Sequence, residues 1–115
     1  MSTVRIRVVL PGHLARLAGA GGRVAEVTVE AEAPGPGALP TVGAAVYALE
    51  RAYPALRGTL TAMDPAPPGA ARLRPYLRVF AASQDLTPGG LAVPLPAEVL
   101  SGAEPLRIVG AIAGG

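Results

Sequence analysis

Few residues in this chain could do chemistry, and the sharpest candidates stand at its end. Gly114 and Gly115 close the sequence, preceded by Ile112 and Ala113. With 15 glycines among 115 residues, such an ending arises by chance about 2% of the time, so its position matters more than the dipeptide. Two residues without Cβ make a thin arm that can enter a narrow channel and adopt backbone angles closed to other residues. Five extended residues reach at most roughly 17 Å. Such an arm would present a free carboxylate, a poor electrophile that must be activated before anything is transferred to it. The other candidates are weaker. His13 follows Pro11-Gly12 and would most simply be an exposed or capping histidine. Ser83 and Asp85 complete no catalytic triad with it. Gly19-Ala20-Gly21-Gly22 does not match a dinucleotide fingerprint and precedes a strand, so it reads as turn chemistry.

Composition removes whole classes of function. There is no cysteine, hence no disulfide, thiolate metal site, cysteine nucleophile or persulfide on this chain. A single histidine excludes a multi-histidine metal cluster. No Trp, one Phe and three Tyr make a base-stacking platform improbable, and a net charge of +2 is too small for a nucleic-acid footprint. All ten basic residues are arginine, so no side-chain amine can accept an isopeptide bond. The N-terminal segment interleaves Arg with aliphatic residues, unlike a signal peptide, and the apolar run from Leu106 is too short to span a bilayer. These features predict a soluble cytoplasmic protein with no nucleic-acid or membrane partner and no bound cofactor or metal. One domain is expected over residues 1–111, followed by a flexible tail at 112–115. The 15 glycines and 13 prolines make it loop-rich.

The elements that must position the tail follow from periodicity. Thr3 to Leu10 alternates, with Val4, Ile6, Val8 and Leu10 on one side and Arg5, Arg7 and Val9 on the other, which predicts a half-buried strand. Pro11-Gly12 breaks it and HLARLAG gives one helical turn. A second strand runs from Arg23 to Glu32, with Val27 and Val29 inward and Glu26 and Glu30 facing Arg5 and Arg7 in an antiparallel pair. Thr41 is a candidate N-cap for a helix carrying Val42, Ala45, Val46 and Leu49 at helical spacing, and Pro54 ends it. Leu56 and Leu60 close its far end. Residues 61–71 read as a Pro-rich loop. A third strand is expected from Arg72 to Ala82, a short one at Leu91–Leu95, a turn or short helix at Pro96–Leu100 and a last strand at Pro105–Ala111. The first and last strands would pair in parallel through the helical crossover. The expected fold is α+β: a β-grasp, ubiquitin-like mixed sheet of four to five strands with one main helix on one face. On the opposite face Arg5, Arg7, Val9, Tyr76, Arg78, Phe80, Arg107 and Val109 would lie side by side. Arginine and aromatic groups around aliphatic ones suit a partner-binding surface. An ordinary solvated face neutralised by Glu26 and Glu30 is the alternative.

Several segments together resemble the MoaD/ThiS sulfur-carrier family. They are the first strand with PGHLARLAG, the helix TVGAAVYALERAYPAL, the strand LRVFAAS and the closing VLSGAEPLRIVGAIAGG. The likeness runs through essentially the whole chain in order. The chain departs from the family at Ala82-Ser83, where an Asn turn is common, and in its longer loops at 61–71 and 84–99.

The resemblance implies a carrier rather than an enzyme. A partner adenylating enzyme would use ATP and Mg²⁺ to activate the Gly115 carboxylate. A persulfide on another protein would then supply sulfur to leave a thiocarboxylate, with Gly114, Ala113 and Ile112 as the tail. The nearest fit within the family is the small subunit of molybdopterin synthase, whose large subunit would supply the catalytic residues. Carriers for thiamine or cysteine synthesis, a protein modifier joined to target lysines through Gly115, and a β-grasp interaction module with idle glycines stay open.

Overall fold

The computed structural model describes residues 3–19, 26–33, 35, 37–62, 72–73 and 77–110. Expectations for the His13 side chain, for Tyr76 and for Ile112, Ala113, Gly114 and Gly115 lie outside the described residues. So does the boundary between a domain ending at residue 111 and a tail at 112–115.

The first strand, β1 (Thr3–Val9), forms where Val and Ile alternate with Arg, and it stops before Pro11, which lacks a donor for the ladder. A short helix, α1 (Gly12–Leu17), buries Leu14 and Ala15. β2 (Glu26–Glu32) returns antiparallel, pairing Arg5 with Glu30, Ile6 with Val29 and Val8 with Val27. That register turns Val27, Val29 and Ala31 toward the core, one residue more than the two valines expected.

The main helix, α2 (Val42–Ala52), starts where predicted. The Thr41 hydroxyl accepts a hydrogen bond from the Ala44 amide at 3.1 Å, satisfying one of the helix's orphan donors. Val42, Ala45, Val46 and Leu49 are buried along one face. Pro54 cannot continue the ladder, and Pro54–Leu56 tightens into a 3₁₀ turn that buries Leu56. The last strand of the chain, β7 (Leu106–Gly110), lies parallel to β1, with Val8 opposite Leu106 and Val9 opposite Arg107. α2 belongs to the crossover that such a parallel pair requires. The full sheet runs β2-β1-β7-β5-β6, where β5 is Leu77–Ala81 and β6 is Gln84–Asp85. It is a five-stranded mixed sheet, and its core face forms one hydrophobic cluster with Leu14 and Ala15 of α1 and Val42, Ala45, Val46 and Leu49 of α2.

Three expectations need correction. The strand expected from Arg72 is not continuous with β5 in its pairing. Arg72–Leu73 (β4) instead pairs with Thr61–Ala62 (β3) as a separate two-stranded sheet, so residues 61–62 are not loop. Pro75 stands between the two segments, and a proline is poorly suited to continuing a ladder. The strand expected at Leu91–Leu95 is also absent. Thr87–Ala92 forms 3₁₀ turns broken by a kink at Gly90 (φ +73°), and Pro94 forms only a single bridge to Thr41. This segment straps the start of α2: the Val42 amide donates to Val93 O at 2.8 Å and the Leu95 amide to Pro40 O at 2.9 Å. The strap sits so close that a Cβ on Gly43 would stand 2.9 Å from the Leu91 carbonyl oxygen, an approach open only to glycine. Finally, the β5–β6 hairpin was not anticipated. Its two-residue turn, Ala82-Ser83, holds Ala82 at φ +51°, in the left-handed region that alanine disfavours.

Two substitutions test this packing. Ala82→Gly relieves the left-handed alanine and is expected to raise stability by about 0.5–1 kcal/mol in urea denaturation. Leu49→Ala, at a fully buried position on α2, is expected to lower it by about 2–5 kcal/mol in the same measurement.

Candidate docking face

The sheet face turned away from α2 carries the residues that alternation assigned to it. Because β1, β7 and β5 are neighbours, their outward side chains meet in register: Val9 lies opposite Arg107, Phe80 opposite Arg107, and Arg78 opposite Val109. Arg5, Arg78, Arg107 and Val109 are exposed, while Arg7, Val9 and Phe80 are half-buried. Val109 keeps 44% of its surface on this uncovered side of the sheet. Seven of the eight residues expected on this face therefore belong to it, and the eighth, Tyr76, is among those not described.

The arginines are not equivalent. Arg7, half-buried, is tied down by contacts within the chain. Its guanidinium donates to the Gly102 carbonyl at 2.6 Å and lies 3.6 Å from Glu26. Gly102 has φ +86°, and this left-handed turn just before β7 offers the carbonyl that Arg7 reaches. The contact ties β1 to the approach of the last strand, and the sequence gives no signal for it. Glu26 does neutralise Arg7 as anticipated, but diagonally, since Thr28 is the residue directly opposite.

Arg78 is paired with Asp85 at 3.5 Å. Asp85 is in turn fixed by the Thr87 amide, which donates to Oδ1 at 2.9 Å, and the Thr87 hydroxyl accepts from the Val79 amide at 2.8 Å. Hydrogen bonds from Thr87 hold the Asp85 carboxyl below its usual 3.8, and the Arg78 charge adds a smaller push in the same direction against slight desolvation. Among the described residues neither Arg5 nor Arg107 has an ion-pair partner. They are the unpaired cations of this face among the described residues.

No described helix is long and apolar enough to cross a membrane, and no group of three or more His, Asp or Glu among the described residues could hold a metal ion. The chemistry available on this surface is recognition by charge and apolar contact.

No protein-family model matches the sequence, and no curated protein is significantly similar to it. Solved structures do match. SAMP1 from Haloferax volcanii aligns over 96% of this chain and 99% of its own, at 25% identity and a TM-score of 0.60. Small archaeal modifier protein 1 from Methanosarcina acetivorans aligns over 100% of both chains, at 17% identity and a TM-score of 0.69. CysO from Mycobacterium tuberculosis, an antigen, aligns over 92% of this chain and 98% of its own, at 26% identity and a TM-score of 0.58. The fold is the ubiquitin-like β-grasp, shared with these small proteins along almost their whole length.

The Asp85 arrangement predicts a pH response. A carboxyl depressed on folding contributes stability above its unfolded value, and that contribution is lost as pH falls through the lower folded value. Carboxyl NMR titration should find Asp85 ionising below 3.8, and Thr87→Ala, which removes the hydroxyl but keeps the amide, should move it back upward.

Proposed function

We propose that this chain is a ubiquitin-like sulfur carrier whose working group is the Gly115 carboxylate. The observation that carries the reading is the placement of β7. This central strand, paired on both sides, ends at Gly110, five residues before Gly115, so the Gly-Gly arm follows closely on it in sequence. The likeness to small archaeal modifier protein 1 and to CysO supports the same reading.

The chemistry asks little of the chain itself. An adenylating partner joins the Gly115 carboxylate to AMP and releases pyrophosphate, consuming ATP with Mg²⁺. The terminal sulfur of a protein persulfide displaces AMP to give an acyl disulfide. A second thiol, acting as reductant, attacks the donor sulfur of that S–S bond, releasing the thiocarboxylate and leaving a disulfide between the two thiols. The arm of Ile112, Ala113 and Gly114 delivers Gly115 into the partner's active site, and the face bearing Arg5, Arg107, Val109, Arg78 and Phe80 holds the body in place. ATP-dependent activation belongs to the cytoplasm. The sulfur is destined for cofactor synthesis, with molybdopterin the first candidate and the synthase large subunit as the second partner. Thiamine and cysteine synthesis are the other destinations.

A second reading, conjugation to target lysines through Gly115, is favoured by one finding: the similarity to a small archaeal modifier protein spans almost the full length of both chains. The two readings share the adenylation step and differ in the nucleophile that follows.

Intact mass spectrometry of the protein from its native cells separates them. An oxygen-to-sulfur mass change at Gly115 is the expected result, and isopeptide adducts on other proteins would favour conjugation. Deletion of Gly114 and Gly115 should abolish both, and a cell indifferent to that deletion would refute the proposal. On the docking face, Arg107→Glu should weaken binding of the adenylating partner about tenfold or more by turning attraction into repulsion. The same change should alter stability by no more than about 0.5 kcal/mol, because Arg107 is exposed.

A further inference from the structure

Arg107 stands at the centre of a row of side chains that crosses the whole sheet on the docking face. The registers set Glu26 opposite Val9, Val9 opposite Arg107, Arg107 opposite Phe80 and Phe80 opposite Asp85. Both carboxylates of this row are engaged, Glu26 by Arg7 and Asp85 by Arg78 and the Thr87 amide. Arg107 is exposed and, among the described residues, pairs with no anion. Half-buried Val9 and Phe80 flank it, and exposed Val109 follows two residues on along β7. An open guanidinium bordered by apolar side chains suits a ligand that joins a carboxylate to an aliphatic group.

The chain carries such a ligand itself. Five residues follow Gly110; they include one large aliphatic side chain, Ile112, and close on the Gly115 carboxylate. Gly110 lies three residues past Arg107, about 10 Å along the strand. A chain that reverses at residues 111–112 has three residues left, and these span about 10 Å when extended. The two lengths match. At Arg5 they do not: it lies four residues before Val9, hence about 23 Å from Gly110, beyond an arm of at most roughly 17 Å. Arg78 is nearer, opposite Val109, but Asp85 already neutralises it.

We propose that, before a partner binds, the segment 111–115 folds back over β7 as a latch, with Ile112 on Val109 and the Gly115 carboxylate on Arg107. Arm and docking face then mask one another. A partner that offers Arg107 a carboxylate of its own favours the open form, so docking and exposure of the reacting group are coupled. A surface ion pair of this kind is weak and screened by salt, which makes the contact easy to open. Its purpose rests on the reading of Gly115 as the working group. The contact itself is measured without any adenylating enzyme, so the latch and the carboxylate chemistry can fail separately.

The test uses the full chain, labelled with ¹³C and ¹⁵N, in about 10 mM salt, where screening is weak. Nuclear Overhauser contacts should join Gly115 to the Phe80 ring and Ile112 to Val109. A straight continuation of β7 would instead carry Gly115 about 26 Å from Arg107. Removing Gly114 and Gly115 should shift the resonances of Arg107, Val109 and Phe80 and leave those of Arg5 in place. Arg107→Gln, at an exposed position, should weaken the Gly115–Phe80 contact about threefold, and raising the salt to about 1 M should do the same to the unaltered chain. Arg5→Gln should leave the contact unchanged. Absence of contacts from residues 112–115 to this face, or equal effects of Arg5→Gln and Arg107→Gln, would overturn the proposal. So would contacts that strengthen with protein concentration, which would give the face to the tail of a second copy.

Discussion

Everything in this molecule depends on laying the last strand beside the first in parallel. Parallel neighbours cannot be joined by a tight turn, so the chain must leave the sheet, cross one face and return. α2 is part of that crossing, and its four buried residues cover the surface that Ile6, Val8, Leu106 and Ile108 turn inward. Burial of these side chains sets the register, since a slip of one residue would exchange the aliphatic face for the arginine face. The consequence is that β7, ending at Gly110, lies inside the sheet with a neighbour on either side.

The division of labour between the two faces follows. One face is wholly spent on the core; the other carries arginine and half-buried apolar groups. Within it, Arg7 acts as a structural tie to Gly102 and Arg78 is matched by Asp85, which leaves Arg5 and Arg107 to act outward. The chain has no cysteine, and no group of metal-ligating side chains is found among the described residues. In the proposed role, its contribution to a reaction is to be recognised and to bring a terminal group within reach of another protein's chemistry.

Much of this was legible in the residues. Alternation in TVRIRVV, helical spacing from Val42 to Leu49 and the Thr41 cap are local signals, and each appears where it was read. The order of the elements also predicts the parallel pairing of first and last strands that the sheet shows. What could not be read locally went astray. Leu-Ala-Val-Pro-Leu at 91–95 has the composition of a strand, yet its backbone partners are Pro40 and Val42, some fifty residues earlier in the chain. Arg72–Leu73 looked continuous with Leu77–Ala81 because alternation carries across Pro75, and only pairing with Thr61–Ala62 separates them. On the candidate face, alternation placed the side chains correctly but could not tell Arg7 from Arg107. That distinction rests on a carbonyl 95 residues away. The Asp85–Thr87 turn did leave a signal, an Asp two residues before a Thr, of the kind that closes on its own backbone.

ATP–pyrophosphate exchange, catalysed by the adenylating enzyme of the same cell, tests the role of the carboxyl end most directly. Label should pass from pyrophosphate into ATP only when this chain is present, and should cease when the Gly115 carboxylate is replaced by the amide in an otherwise identical protein. Exchange that persists with the amide, or that never depends on the chain, would contradict the role assigned to that carboxylate.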